Sequence, residues 1–278
     1  MHVREYGSPS SALPVVCLPG LTRTTADFDA LAPALAYCQP PRRVIAIDSR
    51  GRGQSEYDSD PENYNLAVEL ADVIAVLVAL QIDQAVFVGS SRGGILTMLL
   101  AATNPAAIAG AVLHDIGPVI EPEGLARIKG YVGKLRQPQT LAEGADILRG
   151  LFESQFPRLT SEQWHAASNR AWKTEHGALV PSYDVQLACT LAQFDIEHPP
   201  PALWDEFDAL ARVPVLVIRG ANSDVLSVNT VSAMRARHSG LEYIEVPDQG
   251  HVPLLEDAEL LRHIAAFVEK CRLATANG

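Results

Sequence analysis

Short runs of β-branched and apolar residues, bounded by Gly, Pro or Asp, recur along this chain, and between most of them the apolar residues fall at helical spacing. The runs lie at 14–18, 43–47, 84–88, 111–114, 214–219 and 242–246 and read as buried strands. Leu66, Leu70, Val73, Ile74 and Leu77 form one apolar stripe on a helix, and Ile95, Met98, Leu99 and Ala102 form another. Leu260, Leu261, Ile264, Phe267, Val268 and Cys271 do the same for a closing helix. Strand alternating with helix predicts an α/β fold, with a mostly parallel central sheet flanked by helices.

The alternation breaks between 119 and 207, where no convincing strand is visible and helical patterns such as Leu125, Ile128, Val132 and Leu135 take over. The expected organisation is therefore a core made of 1–118 and 208–278 with a helical insertion between. All three tryptophans, Trp164, Trp172 and Trp204, lie in that insertion. They read either as the insertion's own core or as the lining of a pocket beneath it.

With 47% hydrophobic and 20% charged residues, the 278-residue chain has the composition of an ordinary globular protein. Its net charge of −11 argues against a nucleic-acid partner, whose phosphates call for clustered Lys and Arg. Four dispersed cysteines without a CxxC pair fit a reducing compartment. The uncharged stretch 93–113 is interrupted by Thr97, Thr103, Asn104 and Pro105, so it reads as helix, turn and strand rather than a membrane span. The first residues lack the apolar core of a signal peptide, and the expected location is cytoplasmic.

The chemistry concentrates at Gly89-Ser90-Ser91-Arg92-Gly93. Alone, a G-x-S-x-G pattern is weak evidence, but here a strand runs into Gly89 and a helical stripe begins at Ile95. That context puts Ser91 on a strand-to-helix turn, the setting of a nucleophile elbow. Glycines two residues to either side let the backbones approach, and the helix N-terminus favours developing negative charge.

A serine nucleophile needs a base and an orienting acid. Of the eight histidines, His251 follows the 242–246 strand in a Gly-containing loop before the closing helix and is the expected base. His165, His176 and His198 lie in the insertion, and His263 lies within the closing helix. Asp224, in the loop after the 214–219 strand, is the expected acid, with Asp115 at the end of the preceding strand as runner-up.

The order Ser91, Asp224, His251 on an alternating sheet with a helical insertion resembles the α/β-hydrolase superfamily over nearly the whole chain. Leu18-Pro19-Gly20-Leu21 is similar to the family's His-Gly-X oxyanion loop with Pro in place of His, and Asp48-Ser-Arg50-Gly51-Arg52-Gly53-Gln-Ser55 is similar to its D-x-R-G-x-G-x-S turn. The resemblance implies that the backbone N–H groups of Leu21 and Arg92 form the oxyanion hole and that residues 119–207 are the family's cap. It implies hydrolysis of a carboxylic ester with small to medium acyl or alcohol groups, or alternatively of an enol-lactone or a C–C bond in a ring-cleavage product. A non-catalytic ligand sensor on the same fold is the alternative of another class. Arg23 reads either as a partner for Asp27 or as a site for a substrate carboxylate. Arg92 reads as an anchor for the elbow through an acid such as Asp115. No phosphate loop, H-E-x-x-H site or dinucleotide fingerprint is present, so neither metal nor organic cofactor is expected, and the expected partner is a small-molecule ester or lactone.

Overall fold

The strands of this computed structural model, which describes residues 1–8, 10, 12–192, 194 and 199–276, are β1 (His2–Tyr6), β2 (Val15–Leu18), β3 (Val44–Asp48), β4 (Ala85–Ser90), β5 (Ile108–His114), β6 (Trp172–Glu175), β7 (Ala178–Pro181), β8 (Val215–Gly220) and β9 (Glu242–Val246). Seven of them form one sheet in the order β1-β3-β2-β4-β5-β8-β9. Only β1 runs antiparallel to its neighbour. The helices are α1 (Leu31–Ala36), α2 (Leu66–Ala79), α3 (Arg92–Thr103), α4 (Pro122–Tyr131), α5 (Leu141–Phe152), α6 (Ser161–Ala171), α7 (Trp204–Asp208), α8 (Val228–Arg237) and α9 (Ala258–Ala276).

Successive strand residues point to opposite faces, and each face has its own core. Val16, Leu18, Ile45, Phe87, Leu113 and Val217 pack with Val73 and Leu77 of α2, Leu96 of α3 and Met234 of α8. Val15, Cys17, Val86, Val112 and Leu216 pack with Leu31 and Leu35 of α1 and with Ile264, Phe267 and Val268 of α9. Covered on both faces, β2, β4, β5 and β8 are buried along their whole length, which is why their sequences are continuous apolar runs rather than alternating ones. β1 lay outside the sequence expectation because an edge strand carries charge: His2, Arg4 and Glu5 leave only Val3 as a β-branched residue.

The regular structure between β5 and β8 is mainly the helices α4 to α7, with two departures from expectation. β6 and β7 pair as an antiparallel hairpin across His176-Gly177, both with positive φ (50° and 81°), the backbone of a tight primed turn. At four residues each, and with few β-branched side chains, the two strands left little periodic signal. At the other end, α7 belongs with the sheet's helices, since Phe207 is buried in the core beneath α3 and Trp204 packs against it. Among the described residues no helix is long and apolar enough to cross a membrane. His198 lies outside the described residues.

Candidate active site

Ser91 stands between β4 and α3 with φ 49° and ψ −115°, a region that residues with a Cβ seldom occupy. Its N–H donates to the His114 carbonyl at 3.0 Å, and its own carbonyl accepts from Gly94 and Ile95, so the turn is tied on both sides. A Cβ at Gly89 would stand 2.5 Å from the Gly93 carbonyl oxygen, and one at Gly93 would stand 2.0 Å from that of Leu18. Close approach of backbones, rather than an unusual dihedral, requires glycine at both positions.

His251 arrives from the loop after β9. Its Nε2 lies 2.8 Å from Ser91 Oγ and its Nδ1 lies 2.7 Å from Asp115 Oδ2. Asp115 follows β5 directly with φ 53° and is fully buried. Its N–H donates to the Ile218 carbonyl at 2.7 Å, and its Oδ1 accepts from the Gly220 N–H at 2.8 Å. Its Oδ2 also accepts from the Ser223 hydroxyl at 2.6 Å.

The expectation for Asp224 is therefore corrected: the structure does not hydrogen-bond it to His251. Its carboxylate receives Arg127 of α4 in a bidentate pair, at 2.6 and 2.8 Å. Burial pushes the Asp224 carboxyl up, and Arg127, with smaller help from Gln155 and the His251 charge, more than offsets this and holds it below the ordinary carboxylate value. The physical reason lies next door. Ser223, not Asp224, turns inward from the β8 loop, and the carboxylate it meets comes from the end of β5. Ser223 carried no sequence signal, since a serine in a loop is ordinary.

The loop that carries Leu21 is held from below. Arg52 donates to the Leu21 carbonyl at 2.7 Å and to Glu69 of α2 at 2.8 Å, while Arg92 donates to the other Glu69 oxygen at 2.6 Å. Arg92 thus anchors the elbow through Glu69 rather than Asp115. Burial pushes the Glu69 carboxyl up, and the two guanidiniums more than offset it, keeping it below its ordinary value. The 48–55 turn is structural: Asp48 accepts from the N–H groups of Thr25 and Gln54, and Ser55 Oγ donates to the Asp48 carbonyl. Among the described residues the N–H groups of Leu21 and Arg92 have no hydrogen-bond partner, as donors reserved for a ligand oxygen would not.

Behind the elbow, His114 is fully buried with Ser90 Oγ 2.6 Å from its Nδ1. Burial pulls its imidazole down to about 4. It is neutral at pH 7 and does not compete with His251 as a cation beside Asp115.

Two chambers adjoin the Ser91–His251 pair, one lined by His251 and the other by Ser91. One is lined by His251, Val252, Arg23, Arg170 and an aromatic wall that includes Phe152, Trp164 and Trp172. The other is lined by Ser91, Leu21 and Arg92 and is otherwise apolar, with Ile95, Ile120, Leu125 and Phe194 among its walls. Trp164 and Trp172 are almost fully buried and also pack with Leu148 and Phe156, so they serve both the insertion's core and the chamber. Trp204 lines neither chamber; it stacks edge-on against Phe207 beneath the Arg237 guanidinium. Arg23 approaches Asp27 only to 3.8 Å. Among the described residues no three His, Cys, Asp or Glu side chains are grouped to hold a metal ion.

Residues 14–258 match the family model described as the alpha/beta hydrolase fold. The chain is 35% identical to a 3-hydroxybutyrate-oligomer hydrolase from Cupriavidus necator, over 92% of this chain and 88% of that protein. It is 26% identical to a 2-(acetamidomethylene)succinate hydrolase from Mesorhizobium japonicum, over 97% and 91%. A crystal structure of an alpha/beta hydrolase from Novosphingobium aromaticivorans superposes with a TM-score of 0.88 at 40% identity, covering 97% of this chain and 93% of that one. A family match over most of the chain, on a sheet of this order, makes the protein a hydrolase that belongs to the α/β-hydrolase family.

Proposed function

We propose that the protein cleaves carboxylic esters of short hydroxy acids through an acyl-enzyme on Ser91, with His251 as base and then acid and Asp115 as the orienting carboxylate. The observation that carries this reading is the unbroken line from Ser91 Oγ through the His251 ring to Asp115, at 2.8 and 2.7 Å. His251 Nε2 takes the Ser91 proton as Oγ attacks the ester carbonyl. The N–H groups of Leu21 and Arg92 receive the oxyanion, each worth about 3 kcal/mol of barrier in comparable sites. Collapse expels the alcohol oxygen, which takes the proton from Nε2, and water then releases the acyl group by the same route. Asp115 holds Nδ1–H and stabilises the imidazolium, its own charge fixed by the Gly220 N–H and the Ser223 hydroxyl.

In this reading residues 119–207 are a cap, which fits their share in the walls of both chambers. The substrate class draws support from the relative named for 3-hydroxybutyrate oligomers. The test is a panel of short-chain esters, hydroxy-acid oligomers, lactones and β-diketone acids, assayed with the wild type and Ser91→Ala. Ester turnover abolished by the substitution supports the reading. Turnover confined to lactones or C–C bonds, or no turnover at all, overturns it.

A further inference from the structure

We infer that the chamber beside His251 receives the alcohol half of the substrate and grips a free carboxylate on it through Arg23 and Arg170, so that the enzyme removes the carboxyl-terminal unit of a hydroxy-acid oligomer. The inference rests on the ester-hydrolase reading and adds to it a direction of cleavage.

The two halves of an ester are distinguished by the proton they need. The leaving oxygen takes its proton from His251 Nε2, so the alcohol half must lie on the side that His251 lines, which is the chamber of Arg23 and Arg170. The acyl carbon is bonded to Ser91 Oγ and its oxygen faces Leu21 and Arg92, so the acyl chain belongs in the second chamber, whose walls are almost wholly apolar. A neutral acyl chain suits that lining, and a carboxylate would be stranded there without a partner.

The first chamber has the opposite provision. Arg23 reaches it from the loop after β2 and Arg170 from the end of α6, and both converge on one carboxylate, Asp27, at 3.8 and 3.4 Å. Neither approach is a hydrogen bond, and Arg170 Nε is buried without a hydrogen-bond partner. Arg170 Nη1 does donate to Glu256 Oε1, at 3.2 Å on the rim, which leaves Nε as its unbonded donor. Arg23 makes no side-chain hydrogen bond among the described residues. By contrast Arg127, the third arginine nearby, is already held by the bidentate pair with Asp224. Arg23 with no side-chain hydrogen bond, and Arg170 with Nε unbonded although Nη1 is held by Glu256, leave donors that a carboxylate ligand can take up.

The reach also fits. A Cβ placed on Gly20 would stand 3.4 Å from Arg23 Cγ and 3.5 Å from Ser91 Cβ, so these two side chains flank the same small volume. In a 3-hydroxy acid the carboxyl carbon is three bonds from the hydroxyl oxygen, about 4 Å at bond lengths near 1.5 Å. His251, Arg23 and Arg170 border the same chamber, so a carboxylate this close to an alcohol oxygen at His251 lies in the space that the arginines line.

The experiment uses a 3-hydroxybutyrate trimer acetylated at its hydroxyl end, as the free acid and as the methyl ester, with p-nitrophenyl butyrate as a neutral reference. The free acid should yield monomeric 3-hydroxybutyrate and the acetylated dimer as first products by mass spectrometry. Its kcat/KM should exceed that of the methyl ester at least about tenfold. Arg23→Gln and Arg170→Gln should each shrink that acid-to-ester ratio toward one, a readout that a loss of folded protein does not move. A first cut at the hydroxyl end, or equal rates on acid and methyl ester while p-nitrophenyl butyrate is still cleaved in a Ser91-dependent way, overturns the inference and leaves the hydrolase reading standing. No cleavage of any ester overturns both.

Discussion

Ser223 Oγ and His251 Nδ1 meet the same oxygen of Asp115, at 2.6 and 2.7 Å. One carboxylate at the end of β5 thus joins the loop after β8 to the loop after β9. That junction fixes where each loop can sit relative to Ser91, and it explains how a chain can carry an aspartate in the β8 loop without using it as the histidine's partner.

Asp115→Asn should therefore lower kcat by about 10³ to 10⁴-fold with little change in fold, because an amide in that place cannot stabilise the imidazolium. Asp224→Asn should change kcat by less than about tenfold. Steady-state kinetics on one short ester decide the matter, and a larger loss in Asp224→Asn would assign the orienting role to the β8 loop after all.

Asp224 instead ties the loop after β8 to α4, and its contribution should depend on pH. Its carboxyl is held below the ordinary value by Arg127 against the opposing effect of burial. A carboxylate whose folded-state value is depressed adds stability above the unfolded value of about 4 and loses it as pH falls through the lower folded value. Wild type should exceed Asp224→Asn by about 1 to 3 kcal/mol at pH 7, a partly buried pair lying between surface and interior cases. The gap should close as pH falls below about 4 and through the lower folded value. Denaturant unfolding of both proteins across that range measures it, and a gap independent of pH would show that the pair contributes through packing alone.

The sheet was legible because burial on both faces forces continuous apolar runs, and the elbow because glycine at 89 and 93 is a steric requirement that a sequence displays directly. The choice between Asp115 and Asp224 was not. Both follow strands, and which carboxylate faces His251 depends on side-chain direction at a positive-φ residue, a property of the folded loop. Glu69 escaped notice for a related reason. It sits on an amphipathic helix where a carboxylate ordinarily faces water, and only the arrival of Arg52 and Arg92 from distant segments buries it.

That arrangement makes Glu69→Gln a costly change. It would leave Arg52, fully buried and tied to the Leu21 carbonyl, with its neutralising partner gone. Loss of one member of a buried ion pair costs about 3 to 5 kcal/mol. The melting temperature should fall, and kcat should fall with it in the fraction that stays folded, because the Leu21 N–H loses its support. A variant that loses stability with kcat unchanged would separate the Leu21 loop from this network.

The tryptophans should divide by position. Trp164 and Trp172 line the chamber beside His251, whereas Trp204 packs on Phe207 away from both chambers. Trp204→Phe should thus lower stability and leave the ranking of substrates as it was. Trp164→Leu and Trp172→Leu should raise KM for esters with bulky alcohol groups while sparing kcat on a very small one. A wall that touches substrate and transition state alike contributes uniform binding, about 1 to 3 kcal/mol for a lost apolar contact. Both lining tryptophans also hold the insertion's core with Leu148 and Phe156, so their replacement should cost stability as well. The ranking of bulky against small esters, read as a ratio in each variant, isolates the lining role. If that ratio moves in Trp204→Phe and not in Trp164→Leu, the chamber has been assigned to the wrong residues.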